Sequence, residues 1–203
     1  MSSTLLTIIW PLIGYLFGSI SSAILVCKLF RLTDPREVGS GNPGATNVLR
    51  SGNKTAAAFT LLGDVLKGLV PVLLAKHFEV GNGTLALIAM TSFLGHLFPI
   101  FFSFKGGKGV ATALGVFIAL NWKLFVVFGL VWLTVAAVSR YSSLAALIAA
   151  GVSALSSFVI FNQSSETQII GAVIFIVAFL FQRHRENIER LKSGQEGKIG
   201  QKE

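Results

Sequence analysis

The chain has 203 residues, 53% of them hydrophobic and 13% charged, with a formal net charge of +8. Soluble domains carry about 25% charged residues, and a soluble core of this size cannot hide so much apolar surface, so the composition excludes an ordinary soluble domain. A positive balance that would suggest nucleic acid in a soluble protein reads here as the Lys and Arg excess that membrane proteins keep on the cytoplasmic side; no nucleic-acid partner is expected, and the single cysteine, Cys27, excludes an internal disulfide.

A spanning helix needs about 20 apolar residues, because the hydrocarbon core is about 30 Å thick and each residue rises 1.5 Å. Seven apolar runs stand out, over residues 5–26, 56–75, 85–102, 110–120, 124–138, 144–161 and 169–181. The fourth, fifth and seventh are short. The first is too long for the apolar segment of a secretory signal, and no basic residue precedes it. Gly14, Gly18, Ser19, Ser22 and Ala23 recur along it and predict close helix packing.

The first loop, residues 34–50, holds Gly39, Gly41, Pro43 and Gly44, which rule out a regular helix and allow turns with positive φ. Successive N–H groups in such turns form anion-binding nests. Ser40, Asn42, Thr46 and Asn47 add side-chain donors, and Arg50 can grip a phosphate bidentately. A short helix is predicted after Gly44. Residues 39–44 also match G-x-G-x-x-G, with Asp64 further on. The dinucleotide reading fails because that fingerprint follows a strand in a βαβ unit, and here an apolar helix precedes it.

The second run contains Asp64 and Lys67, three apart. Intramembrane charges are costly and are paired or functional; a structural pair and a direct role in a site are both open. The third run carries His96, read either as a packed interior histidine or as a site group. It leads into a second loop, Phe104-Lys-Gly-Gly-Lys-Gly109. No Ser or Thr follows the lysine, so it is not a Walker A loop. Two lysines would suit a positive-inside anchor, but Gly106, Gly107 and Gly109 interleaved with Lys105 and Lys108 favour a ligand approaching the backbone.

A tight outer turn is predicted at residues 121–123, with Trp122 at the interface. Fusing the fourth and fifth runs would instead place the six basic residues from Arg183 onward outside. With the N-terminus outside and seven crossings, the inner face gathers Lys28, Arg31, Arg36, Arg50, Lys54, Lys105, Lys108, Arg140, Arg183, Arg185, Arg190, Lys192, Lys198 and Lys202, leaving Lys67, Lys76 and Lys123 elsewhere. Ser2 and Gln163 then face outside, and Asn53, Gly107 and Gly200 the cytoplasm. The expected fold is an all-α integral membrane protein of about seven transmembrane helices, with residues 1–190 as one domain and 191–203 as a basic cytoplasmic tail.

The third basic segment starts at Arg183. Helical spacing puts His184, Asn187, Ile188 and Leu191 on one face, with Arg185–Glu189 and Glu186–Arg190 as i,i+4 pairs. It reads either as an interfacial helix against anionic lipid or as a third wall of the site. From Gln195 the chain is expected to fray.

Three anion-friendly segments suggest phosphorylated ligands, and the surrounding helices suggest a lipid. No G-x-S-x-G elbow is present, no Cys/His spacing suits a metal, and no histidine is followed by Asp in a His-x4-Asp motif. Together Gly39-Ser-Gly-Asn-Pro-Gly-Ala-Thr-Asn47, the stretch from His96 through Lys105-Gly-Gly-Lys-Gly109 to Thr112, and Arg183-His-Arg-Glu-Asn-Ile-Glu-Arg-Leu191 resemble the bacterial acyl-phosphate:glycerol-3-phosphate acyltransferases (PlsY type). Asp64-Val-Leu-Lys-Gly68 resembles that family's second helix. The resemblance implies transfer of a fatty acyl group from acyl phosphate to the 1-hydroxyl of glycerol 3-phosphate, giving lysophosphatidic acid and inorganic phosphate, at the cytoplasmic face of the bacterial inner membrane. It implies no cofactor and no metal, and as a partner the enzyme that supplies acyl phosphate. On this reading Lys108, Lys105 and Arg50 hold phosphates. Ser40, Asn42, Thr46 and Asn47, with the N–H groups at Gly39, Gly41, Gly44, Gly106, Gly107 and Gly109, orient them. His184 and Asn187 position the glycerol, and the proton goes either to His184 or to the substrate phosphate. Asp64 and Lys67 support. The competing reading is an anion or phospholipid transporter; transporter sites lie near the midplane between inverted repeats, whereas these groups cluster in loops on one face.

Overall fold

A computed structural model describes residues 3–200, with side chains from residue 7; Ser2 and Lys202 lie outside the described residues. Every described element is helical. In order they are α1 (Ser3–Gly18), α2 (Ser22–Leu29), α3 (Ala45–Arg50), α4 (Lys54–His77), α5 (Asn82–Leu97), a 3-10 turn (Ile100–Phe102) and α6 (Val110–Leu120). Then come α7 (Trp122–Ser139), α8 (Ser142–Ile160), a second 3-10 turn (Ser164–Glu166), α9 (Thr167–Arg183) and α10 (Arg185–Lys192). Among the described residues six segments are long and apolar enough to cross a membrane: Thr7–Leu29, Lys54–His77, Asn82–Phe102, Trp122–Ser139, Ser142–Ile160 and Ser164–Arg183. The fourth apolar run forms α6, whose 11 residues rise only about 16 Å. The expected turn is a single residue: Asn121 caps α7, its side-chain oxygen accepting the Lys123 N–H at 3.0 Å.

The chain divides into two compact units, residues 1–119 and 120–203. In the first, α1 packs along α5, and α4 packs against α1, α2 and α5. The small residues of the first run do what their spacing predicts. A methyl group on Gly18 would collide with the Ser92 carbonyl of α5, and one on Gly95 with the Tyr15 carbonyl of α1, so the two backbones touch.

That first run is not one helix, as its unbroken apolar character suggests, but two. It breaks at Ser19, Ile20 and Ser21 between α1 and α2. The cause lies outside the run. Lys67 Nζ of α4 donates to the Ile20 carbonyl at 2.9 Å, so this oxygen does not depend on a helical N–H. The Ile100 N–H approaches Ser19 Oγ at 3.4 Å, and the Tyr15 hydroxyl donates to the Phe98 carbonyl at 2.7 Å. Non-helical backbone at membrane depth is tolerated where protein supplies its partners.

In the second unit α7 and α8 reverse at Arg140, which adopts φ 63°, and α8 buries a small-residue face, Ala145, Ala149, Ala150 and Ser153, against its neighbours. Leu130, Leu133, Leu155 and Val159 stay exposed, as side chains facing lipid do. The chain turns at His184 between α9 and α10.

The expected fraying from Gln195 is absent as far as Gly200. The Ile199 N–H donates to the Arg140 carbonyl at 2.7 Å, and the Arg140 guanidinium returns a bond to the Ile199 carbonyl at 2.9 Å. Arg190 does not pair with Glu186; its Nε lies 2.8 Å from Glu196. The sequence spacing favoured a partner one turn away, but the folded-back tail brings a carboxylate nearer.

Candidate active site

The first loop opens on an Asp34–Arg36 pair, with Nη2 2.7 Å from Oδ2. The hydrogen bond from Arg36 holds the Asp34 carboxyl below its ordinary value. Gly39 and Gly41 take φ 56° and 66°, a region that costs residues with a Cβ. These two turns wrap the chain around Asn47, which is 3% exposed. The Asn47 amide nitrogen donates to the carbonyls of Pro35 (2.7 Å) and Val38 (3.0 Å), and its oxygen accepts the Ser40 N–H at 3.0 Å. Both amide hydrogens are therefore spent inside the loop. Asn47 braces the loop, and of the expected side-chain donors it leaves Ser40 and Thr46, which are exposed, and Asn42, half-buried. The predicted short helix is α3; Gly44 stands at its start and Arg50, exposed, at its end.

The second loop is entered through two residues in the left-handed region, Ser103 (φ 55°) and its own first residue Phe104 (φ 59°). Neither is glycine, so each conformation stores of order 1 kcal/mol. The bonds Phe104 N–H to the Pro99 carbonyl (3.0 Å) and Lys105 N–H to the Phe102 carbonyl (3.2 Å) hold them there. Beyond lies the glycine run. The Gly107 N–H donates to the His96 carbonyl at 3.2 Å. A methyl group on Gly106 would collide with that same carbonyl, and one on Gly107 with Nε2 of the His96 ring. On its other side Gly107 meets the first loop, since a Cβ there would stand 3.1 Å from the Pro43 carbonyl. The two loops thus join at Pro43 and Gly107. Lys105 is exposed and Lys108 half-buried, while Gly109 is buried at φ 89° against Phe93.

Beneath this junction lie the buried charges. Lys67 Nζ is 2.8 Å from Asp64 Oδ1, and His96 Nδ1 is 3.6 Å from the same oxygen. All three side chains are buried.

The second unit holds His184 and Asn187, both buried, with Ile188 and Leu191 half-buried on the same helical face. His184 Nδ1 lies 2.7 Å from the Leu180 carbonyl. That oxygen can only accept, so Nδ1 carries the hydrogen and Nε2 is the basic nitrogen of the neutral ring. Glu196 Oε1 accepts from Asn187 Nδ2 at 2.6 Å and from the Ser143 hydroxyl at 2.6 Å. Burial raises the Glu196 pKa, but the bonds from Ser143, Asn187 and Arg190 outweigh it and hold the carboxyl below its ordinary value. Between α8, α9 and α10 runs an apolar groove of about 720 Å³, lined by Leu147, Gly151, Leu155, Phe181 and Ile188, with Lys192 its only charged residue. Ser143 and Glu196 escaped sequence reasoning, because neither belongs to a motif and only the fold brings them to Asn187. The place of His96 at the loop junction was likewise unreadable, although its position just before the loop was a signal.

Residues 8–194 match the family described as glycerol-3-phosphate acyltransferase. A glycerol-3-phosphate acyltransferase of Francisella tularensis subsp. holarctica is 52% identical over 189 residues, 93% of this chain and 91% of the relative. One from Francisella philomiragia is 51% identical over the same shares. The fold superposes on two crystal structures of PlsY, an integral membrane glycerol 3-phosphate acyltransferase. The glycerol 3-phosphate form gives a TM-score of 0.88 at 41% identity, covering 98% of this chain and 96% of that one. The lysophosphatidic acid form gives 0.87 at 39%, covering 96% and 95%.

Proposed function

The chain belongs to the glycerol-3-phosphate acyltransferase family of integral membrane enzymes, and from that membership we propose that it acylates the 1-hydroxyl of glycerol 3-phosphate with an acyl phosphate as donor. The products are 1-acylglycerol 3-phosphate, a lysophosphatidic acid, and inorganic phosphate. The observation that carries this reading is the union of two glycine-rich loops at Pro43 and Gly107, which puts the segments bearing Arg50, Lys105 and Lys108 next to one another. Two phosphorylated substrates call for more cationic and N–H donors than one loop offers.

An acyl phosphate is a mixed anhydride, already activated, so no covalent enzyme intermediate is needed. The glycerol oxygen attacks the acyl carbon, the bond from that carbon to the phosphate oxygen breaks, and the hydroxyl proton ends on the departing phosphate. The protein supplies proximity and fixed positive charge. Arg50, Lys105 and Lys108 hold phosphates. Ser40, Asn42 and Thr46, with the loop N–H groups, orient them, and Asn47 keeps the first loop in shape. His184 and Asn187 position the glycerol, with the substrate phosphate as proton acceptor. The groove along α8 and α9 suits an acyl tail, being apolar throughout except for Lys192. The basic loops and tail face the cytoplasm of a bacterial inner membrane, where glycerol 3-phosphate is soluble and an acyl-phosphate-forming enzyme delivers the donor.

The test is an assay of the purified protein with glycerol 3-phosphate and palmitoyl phosphate, following phosphate release and lysophosphatidic acid together. Equal turnover with palmitoyl-CoA would remove the acyl phosphate from this reading.

A further inference from the structure

We propose that His96 is a positioning residue for the second loop, set in place by the buried Asp64–Lys67 pair and acting through Gly107. This rests on the reading that the second loop holds a substrate phosphate.

A lysine and an aspartate in a helical interior satisfy each other, so a two-membered pair would explain itself as structure. The third member needs a further reason. His96 touches the same peptide twice. Its carbonyl accepts the Gly107 N–H at 3.2 Å and leaves no room for a Cβ on Gly106, and its ring lies so close to Gly107 that no Cβ fits there. The far edge of that ring, Nδ1, stands 3.6 Å from Asp64 Oδ1, the oxygen that Lys67 holds at 2.8 Å. Lys67 in turn is anchored on the Ile20 carbonyl at the break of the first span. A continuous path therefore runs from that break through Lys67, Asp64 and the imidazole to Gly107, whose other side meets Pro43 of the first loop. Lys108 follows Gly107 directly. A displaced ring shifts the peptide that leads into Lys108, and a 1 Å misplacement of a binding group can cost about a hundredfold.

The experiment compares kinetics in detergent for His96→Ala, His96→Gln and His96→Asn, with Lys105→Ala as a marker for the substrate that the loop holds. We expect His96→Ala to raise the KM for one phosphorylated substrate tenfold or more, the same one that Lys105→Ala raises, and to leave the other within about twofold. A merely structural loss lowers the amount of active enzyme and leaves both KM values alone. The conservative variants carry the decision if His96→Ala does not fold. The amide of Gln reaches toward Gly107 as Nε2 does, whereas that of Asn mimics only Nδ1, so Gln should restore the KM better than Asn. Adding Gly107→Ala to His96→Ala should do less harm than the two effects combined, since the missing ring makes room for the methyl group. Unchanged KM values in His96→Ala, Asn equal to or better than Gln, or full additivity would each overturn the proposal. If wild-type enzyme turns over palmitoyl phosphate and Lys108→Ala does not, while the His96 variants keep their KM, this proposal alone fails. If Lys105→Ala and Lys108→Ala leave both KM values and the turnover unchanged, the reading of the loop fails first.

Discussion

The Asn187 side chain donates to the Glu196 carboxylate at 2.6 Å, so a residue of the third motif is held by the tail that follows it. The same carboxylate takes the Ser143 hydroxyl and Arg190 Nε, and closes the tail over the start of α8. Its pKa lies below that of a free carboxyl. A carboxyl so shifted stabilises the fold above its unfolded pKa, and that stabilisation fades as pH falls through the lower folded value. Glu196→Gln should therefore lower the melting temperature at pH 7, by an amount set by about 1 kcal/mol for a half-exposed charged network. The difference from wild type should shrink as pH drops below about 4.3, the usual glutamate value. A pH-independent difference in thermal unfolding would deny the carboxylate its role.

Asn47 gives a sharper contrast. Replacing it with Ala removes a brace and leaves the Pro35 carbonyl and the Ser40 N–H unanswered, at about 1–3 kcal/mol each where they stay dry, while the Val38 carbonyl keeps the Gly41 N–H. Asn47→Asp sets a carboxylate against the carbonyls of Pro35 and Val38 and should be worse than Ala. Turnover with palmitoyl phosphate is the readout, and wild-type activity in the Asp variant would contradict the brace.

Arg50 and Lys108 are expected to act on charge. Arg50→Ala and Lys108→Ala should each lose about 10²–10³ in rate, the usual cost of one preorganised donor at a developing anion, while still inserting and purifying. Wild-type turnover in Lys108→Ala would reduce the second loop to an anchor.

Substitutions at His184 decide where the hydroxyl proton goes. Its Nδ1 faces the Leu180 carbonyl at 2.7 Å, so Nε2 is the nitrogen that would orient the acceptor or take its proton. If the substrate phosphate is the base, His184→Asn should keep more activity than His184→Ala. If both fall equally, by the 10²–10⁴ that a general base contributes, and a wild-type pH–rate limb near 6.5 disappears in both, the histidine is the base.

Sidedness can be read with thiol reagents in a Cys27→Ala background. Cysteines at positions 2 and 163 should label from outside intact cells, and those at 53 and 200 only after permeabilisation. Position 107, natural on sequence grounds, is unsuitable, because Gly107 has no room for a side chain. External labelling at position 200 would reverse the proposed orientation.

The sequence showed its local physics clearly. Apolar runs gave the helices, Asn121 gave a turn, and glycines gave loops. Where a partner came from far along the chain, the reading failed. The break at Ser19–Ser21 depends on a lysine 47 positions away, and the ordered tail on a serine 53 positions from Glu196. Asn47 looked like a ligand group because amides bind anions, and only the closed loop reveals that its hydrogens point inward. The nearness of His96 to Gly107 needed the turn through Ser103 and Phe104, two residues whose types do not announce positive φ.

The lysine that holds the Ile20 carbonyl also dates the break in the first span. During synthesis residues 5–26 leave the ribosome well before Lys67 does. Until α4 enters the bilayer, no ammonium reaches that carbonyl, and hydrocarbon offers no other donor. An unbroken helix is then the state that satisfies the backbone. The break in the first span thus belongs to the packed pair of spans and not to the first run alone, because the donor that answers Ile20 comes from the second span.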